Sequence, residues 1–366
     1  HYLRYAAADQ GGGRSPAGTR AKPLVDAIYF NHGFGASALS WLPALPPLVC
    51  GLGARVGLGH DAPGFGFTER PRPALLGCHD LTLYSSDAAA DIGTSLLLRH
   101  ARLAAAEGGP PSQGAGLKPP CRATSLLLLG HSMGSAVSLK MALGIPRHIR
   151  LHVVLVDPCL IGTLPPPPGE QRRLTSLVFF AALGRVASGL RAAHSALRPV
   201  MAKYFLCLAL VRHVVVDVPV SCVLNMLVSN NLFCFWRFAL KLFWGKEKEL
   251  SEADALRYRW PAVAEDWEAG VLAFVRSRLL FKQFYPGGEY KLLQDVVDLP
   301  NTSVTIFHGK QDNLIPLRWS KRASAMFPRV RLVEIEGQGH NPHEEEVDEF
   351  VQTVVTLIRE DLKVNP

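Results

Sequence analysis

The sequence predicts an α/β fold: a mostly parallel central sheet flanked by helices, with a helical cap inserted near its middle. Three observations carry this. Apolar runs recur at 25–30, 54–58, 125–129, 152–156, 303–307 and 330–335, continuous enough for strands buried on both faces. Helical stretches separate several of them, so strand and helix alternate and the strands run parallel. At 165–168 the run PPPP breaks that rhythm, which resumes only near residue 292.

The elements justify themselves in order. Residues 9–23, DQGGGRSPAGTRAKP, are rich in Gly and Pro and read as a loose lead-in, so 1–23 is expected to be a flexible N-terminal segment. Core sequence follows over 24–162 and again over 293–366. Residues 107–122, EGGPPSQGAGLKPPCR, are an inserted surface loop just before a central strand. Between the core halves, 163–292 reads as a helical cap with apolar stretches YFLCLALV (204–211) and FCFWRFALKLFW (233–244). A membrane span is the rival for this region, but Arg212, His213, Asp217 and Pro219 interrupt it before about 20 apolar residues accumulate. A greasy cap in peripheral contact with lipid fits better.

Composition sets the outer limits. The 366 residues are 48% hydrophobic and 19% charged, which excludes a disordered chain. The net charge of +8 raises nucleic acid as a partner, yet the basic residues are scattered and form no run of five. No nucleic-acid partner is expected, and a mildly basic surface equally suits an anionic membrane face. Seven cysteines without CxxC spacing read as unpaired thiols of an intracellular protein, not as a zinc module. The chain starts at His1, which reads as a fragment or processed form.

The chemistry centres on LLLLGHSMGSAVSLKMAL, residues 126–143. Four leucines make a buried strand, Gly130-His131-Ser132-Met133-Gly134 turns sharply, and a helix follows. The turn needs glycine on both sides of Ser132, because the nucleophile's backbone is strained and neighbouring chain comes close. Upstream, FNHGFGAS (30–37) follows the first strand, and its His32-Gly33 turn can aim the Phe34 N–H above Ser132. With the Met133 N–H, that makes a two-donor oxyanion hole. Downstream, VTIFHGKQDNLIP (304–316) delivers Asp312, and the loop after the last strand holds His340 in GQGH.

The order Ser132, Asp312, His340 and the motifs HGFGAS, DAPGFGFTERP (61–71), GHSMG, HGKQDNLIP and GQGHNPHEE resemble the α/β-hydrolase superfamily from residue 24 to the end. The cap's exit, LRYRWPAVAEDWEAGVLAF (256–274), resembles plant and algal, plastid-associated hydrolases, including pheophytinase-like enzymes. Ser135 stands where a second Gly is frequent. The resemblance implies an α/β-hydrolase fold with an inserted cap and a triad of Ser132 nucleophile, Asp312 acid and His340 base. It needs no cofactor and no metal. It also implies an intracellular setting, with the chloroplast as a candidate compartment.

Several neighbours compete for these roles. Asp157, in VLVDPCL, is a second candidate acid, or an Asp opening a turn before Pro158. His131 reads as a packing residue of the elbow, and Phe65 and Phe67 as supports of the loop beside the pocket. In EGQGHNPHEEEV (336–347), His340, His343 and Glu344 have a spacing that a metal would accept, but a triad histidine bound to metal could not shuttle a proton. His343 is therefore expected to be structural, and Glu344, Glu345 and Glu346 to answer only the dipole of the terminal helix. The expected activity is hydrolysis of a carboxylic ester of an apolar or lipid-like substrate. C–C bond hydrolysis or cofactor-free haloperoxidase chemistry on the same triad is the alternative, and a hydrolase-like binding protein the non-enzymatic one.

Overall fold

The computed structural model describes residues 1–6, 23–71, 79–106, 123–160, 233–280 and 285–364. Seven strands, β1 (Tyr2–Ala6), β2 (Ala27–Asn31), β3 (Val56–His60), β4 (Ser125–His131), β5 (Arg150–Val156), β6 (Thr302–Gly309) and β7 (Val330–Ile335), form one sheet in the order β1-β3-β2-β4-β5-β6-β7. All neighbours pair in parallel except β1 with β3. β4, which carries the elbow, lies mid-sheet between β2 and β5.

The pleat explains why β4 reads as a plain apolar run. Leu126 and Leu128 enter one core, and Leu127 and Leu129 enter the other, because successive side chains point to opposite faces. On one face Trp41, Leu45 and Leu48 pack with Phe350, Val354 and Ile358, so α1 (Leu45–Leu52) and the terminal helix share a layer. The other face takes α2 (Ser86–Ala106) and α3 (Gly134–Gly144). Each fully buried leucine contributes about 1.5–3 kcal/mol relative to an exposed one.

Within the region expected to form a cap, the described residues make α4 (Phe233–Phe243), α5 (Glu252–Ala262) and α6 (Trp267–Leu280). Ser251 caps α5 through a reciprocal pair with Asp254. α7 (Glu289–Val297) packs against α3 and β6, so it lies with the core although the expected cap boundary falls at 292. The chain then runs through α8 (Leu317–Met326), the short α9 (Pro342–Glu345) and α10 (Val347–Val364). The first part of the expected cap (163–232), with PPPP, and the expected loop 107–122 lie outside the described residues. Among the described residues no helix is long and apolar enough to cross a membrane.

One expectation is corrected. The flexible lead-in does not begin at residue 1, because Tyr2–Ala6 pairs antiparallel with β3 from Tyr2↔His60 to Ala6↔Val56. An edge strand satisfies its backbone on one side alone and alternates in burial, so five residues ahead of a Gly-rich stretch carry little apolar signal.

Candidate active site

Ser132 sits between β4 and α3 at φ 51°, a left-handed conformation that a non-glycine residue adopts at a cost of about 1–3 kcal/mol. The strain is held from several sides. The Ser132 N–H donates to the Val156 carbonyl at 2.8 Å, and its own carbonyl accepts from Ser135 and Cys159. A side chain at Gly130 or Gly134 would collide with backbone, 2.5 Å from the Gly134 oxygen or 2.4 Å from the Asn31 oxygen. Ser135 is compatible with the turn, since its hydroxyl donates to the Gly130 carbonyl at 2.9 Å.

The expected acid and base meet beside this elbow. His340 Nδ1 lies 2.7 Å from Asp312 Oδ2, and both side chains are buried. Burial by itself would raise the Asp312 carboxyl. The His340 hydrogen bond and charge, the Ile315 N–H and His308 outweigh it and hold the carboxyl below its ordinary value. Asp312 is therefore an acceptor only, and the Nδ1 proton belongs to His340, which leaves Nε2 as the basic nitrogen. Asp312 Oδ1 is fixed separately by the N–H groups of Leu314 (2.7 Å) and Ile315 (2.9 Å).

The upstream loop is set by His32. The Ala62 N–H donates to His32 Nε2 at 3.0 Å, so the ring proton sits on Nδ1, which donates to the Gly33 carbonyl at 2.8 Å. Burial pushes His32 below its usual range, consistent with a neutral ring. Fixing the Gly33 carbonyl fixes the peptide plane whose opposite side carries the Phe34 N–H. Gly33 itself lies against the elbow, where an added Cβ would be 3.3 Å from that of Ser132. Phe34 is 53% exposed and its ring leans edge-on against Phe65, with Phe274 of α6 6.1 Å away between ring centres. Phe65 is fully buried between them, whereas Phe67 turns to His1.

The competing residues are placed as well. Asp157 is fully buried, and its Oδ1 accepts from the Gly309 N–H at 3.0 Å instead of from His340. Burial and the neighbouring Asp312 charge raise its carboxyl well above the usual range. Asp157, His308 and Asp312 stand close enough to suggest a cation site. His308 Nε2, however, donates to the Ile315 carbonyl at 2.9 Å, so its lone pair is not available to a metal. His131 donates from Nε2 to the His340 carbonyl at 2.8 Å, tying the elbow to the loop of the base. His343 is fully buried between Trp41 and His131, with ring centres 4.1 and 4.6 Å away, and burial drives it well below its ordinary range.

The three glutamates do more than answer a helix dipole. Glu344 receives Arg257 at 3.0 Å and the Tyr258 hydroxyl at 2.5 Å, both from α5, and Glu346 pairs with Lys248. Glu345 accepts N–H bonds from Gly339 and Asn341 in the loop of the base and from Gly245 after α4. His308 and Glu345 were not visible as contributors in the sequence, because their partners are backbone groups and, for His308, the Ser320 hydroxyl, and His32 was seen only as part of the turn that aims Phe34. Their one signal is place: each stands within five residues of a site residue.

An elbow serine, a buried carboxylate–imidazole pair and a glycine loop packed on that elbow make a site of the α/β-hydrolase type. The chain belongs to the Alpha/beta hydrolase family, whose profile it matches over residues 28–353, and it is a hydrolase enzyme. No curated protein matches it. Among solved structures it is similar to an esterase (EaEST) from Exiguobacterium antarcticum, with 14% identity, 98% of this chain and 95% of that one covered, and a TM-score of 0.53. A bromoperoxidase from Bacillus anthracis shows 16% identity, 98% and 94% coverage and the same TM-score of 0.53. 2-Hydroxy-6-oxo-6-phenylhexa-2,4-dienoate hydrolase (BphD) from Rhodococcus sp. strain RHA1 shows 17%, 92% of each chain and a TM-score of 0.53. At such identities the likeness is one of fold.

Proposed function

We propose that the chain is a serine hydrolase that cleaves a carboxylic ester of an apolar or lipid-like substrate through an acyl-enzyme on Ser132. The observation that carries the reading is the His340 Nδ1–Asp312 Oδ2 contact of 2.7 Å, tied through His131 to the strained Ser132 elbow. With the Nδ1 proton held by Asp312, His340 Nε2 takes the Ser132 proton as the hydroxyl attacks the ester carbonyl, then returns it to the leaving alcohol. Asp312 offsets the charge of the imidazolium. The Phe34 and Met133 N–H groups receive the oxyanion, each worth about 3 kcal/mol to the transition state. Water then attacks the acyl-enzyme by the same steps in reverse.

Exposed Phe34 beside Phe65 and Phe274 supports an apolar group next to the scissile carbonyl. A plastid-type setting is supported by the 256–274 resemblance alone. The bromoperoxidase and the phenylhexadienoate hydrolase among the structural neighbours motivate a second reading, haloperoxidase or C–C bond chemistry on the same triad. Rates on medium-chain p-nitrophenyl esters, vinylogous diketones and halide with peroxide separate these readings. Ester turnover that survives Ser132→Ala undiminished would sink the proposal.

A further inference from the structure

We infer that Glu345 is a positioning residue for His340, acting through a clamp that the cap completes; this rests on the serine hydrolase reading. Glu345 Oε1 accepts from the Asn341 N–H at 2.9 Å. Its Oε2 accepts from two donors at once, Gly339 at 2.8 Å and Gly245 at 2.9 Å. Gly339 and Asn341 flank the base on either side, whereas Gly245 belongs to the turn leaving the cap helix α4. One carboxylate therefore grips the peptide backbone around His340 and the cap together.

The surrounding bonds make this a single unit. The His340 N–H donates to the Phe243 carbonyl at 2.6 Å. Lys246 donates its N–H to Gln311 Oε1 at 2.7 Å, and the Gln311 N–H donates to the Gln338 carbonyl at 2.8 Å. Gln311 immediately precedes the acid Asp312, so base, acid and cap turn are stitched within a few residues. The packing leaves no slack: a Cβ on Gly339 would stand 2.2 Å from the Phe243 oxygen, and one on Gly245 2.2 Å from the Gly337 oxygen. Carboxylate-to-N–H bonds are shorter and stronger than neutral ones, so three of them around one group fix the loop tightly. The side chains of Glu344 and Glu346 hold Arg257, Tyr258 and Lys248 instead, and among the described residues neither side chain bonds to residues 339–341.

The consequence is that the imidazole's place depends on where the cap turn sits. A displacement of about 1 Å at a reacting group costs about 100-fold in rate. The test follows labelling of Ser132 by a fluorophosphonate probe in wild type, Glu345→Ala, Glu345→Gln and Glu346→Ala, with folding checked by circular dichroism. The label's rate constant and its final stoichiometry are read separately, beside kcat and KM on a p-nitrophenyl ester. Glu345→Ala is expected to label fully but about 100-fold more slowly, with kcat falling and KM held within about threefold. Glu345→Gln keeps one carbonyl acceptor for part of the clamp and should lose about tenfold, so it carries the test if the alanine variant does not fold. Glu346→Ala should match wild type. Glu345 variants that label at the wild-type rate, or that lose only stoichiometry at an unchanged rate, overturn the inference, because a merely structural role inactivates molecules without slowing the rest. A wild-type protein that takes no label sinks the hydrolase reading instead.

Discussion

Asp312→Asn separates the triad's electrostatics from its shape. Asp312 Oδ1 already receives the Leu314 and Ile315 N–H groups, so an asparagine places its carbonyl oxygen there. Its NH2 group then faces His340 Nδ1 across the 2.7 Å now spanned by the acid–base hydrogen bond. Two donors cannot share that contact, so Nδ1 must accept and the ring proton moves to Nε2, the atom that has to take the Ser132 proton. The expected loss in kcat is about 10⁴-fold, or about 5.4 kcal/mol, with folding intact. Asp157→Asn is the matched control: burial and the Asp312 charge already disfavour an ionised Asp157, and the amide oxygen can keep the Gly309 N–H. It should leave kcat within about threefold. Steady-state hydrolysis of a p-nitrophenyl ester by both variants decides the matter. An Asp312→Asn enzyme within about tenfold of wild type, or a larger loss from Asp157→Asn, would refute the reasoning.

Other outcomes follow from the same contacts. His340→Ala should abolish turnover, whereas His343→Ala should mostly spare it and cost about 1–3 kcal/mol of stability, measured by urea unfolding, because a buried ring is lost. Leu128→Ala, in the core beneath the elbow strand, should cost about 2–5 kcal/mol by the same measurement. Burial raises Glu344 to about 7 despite Arg257 and Tyr258, so its folded pKa exceeds its unfolded value of 4.5. Its contribution to stability is thus complete below pH 4.5 and lost as pH rises through 7, by about 3 kcal/mol. Glu344→Gln should remove that part of the pH dependence, seen by comparing unfolding at pH 5 and pH 8.

The parts legible in the sequence were those written in local pattern. β4 and its turn show as four leucines followed by GHSMG, and the motifs after β6 and β7 place Asp312 and His340 in chain order. Other parts were hidden because they depend on partners distant in sequence. Glu344, Glu345 and Glu346 look like a solvated helix start until the Gly245 N–H, Lys248 and Arg257 arrive from α5 and the turn before it, roughly a hundred residues upstream. His32 looks like part of a glycine turn, and only its bonds to Ala62 and Gly33 reveal that it sets a peptide plane. β1 was missed because an edge strand needs backbone pairing more than apolar side chains. Asp157 stays a second candidate acid on paper beside Asp312; the bond to His340 separates them in space.

The central claim is that Ser132 is a nucleophile activated by His340. The most direct measurement is covalent labelling by a fluorophosphonate probe, with the modified peptide identified by mass spectrometry. The account predicts one adduct per chain, on Ser132, and none in His340→Ala over the same time. A folded wild-type chain left unmodified, or an adduct on another residue, would contradict it.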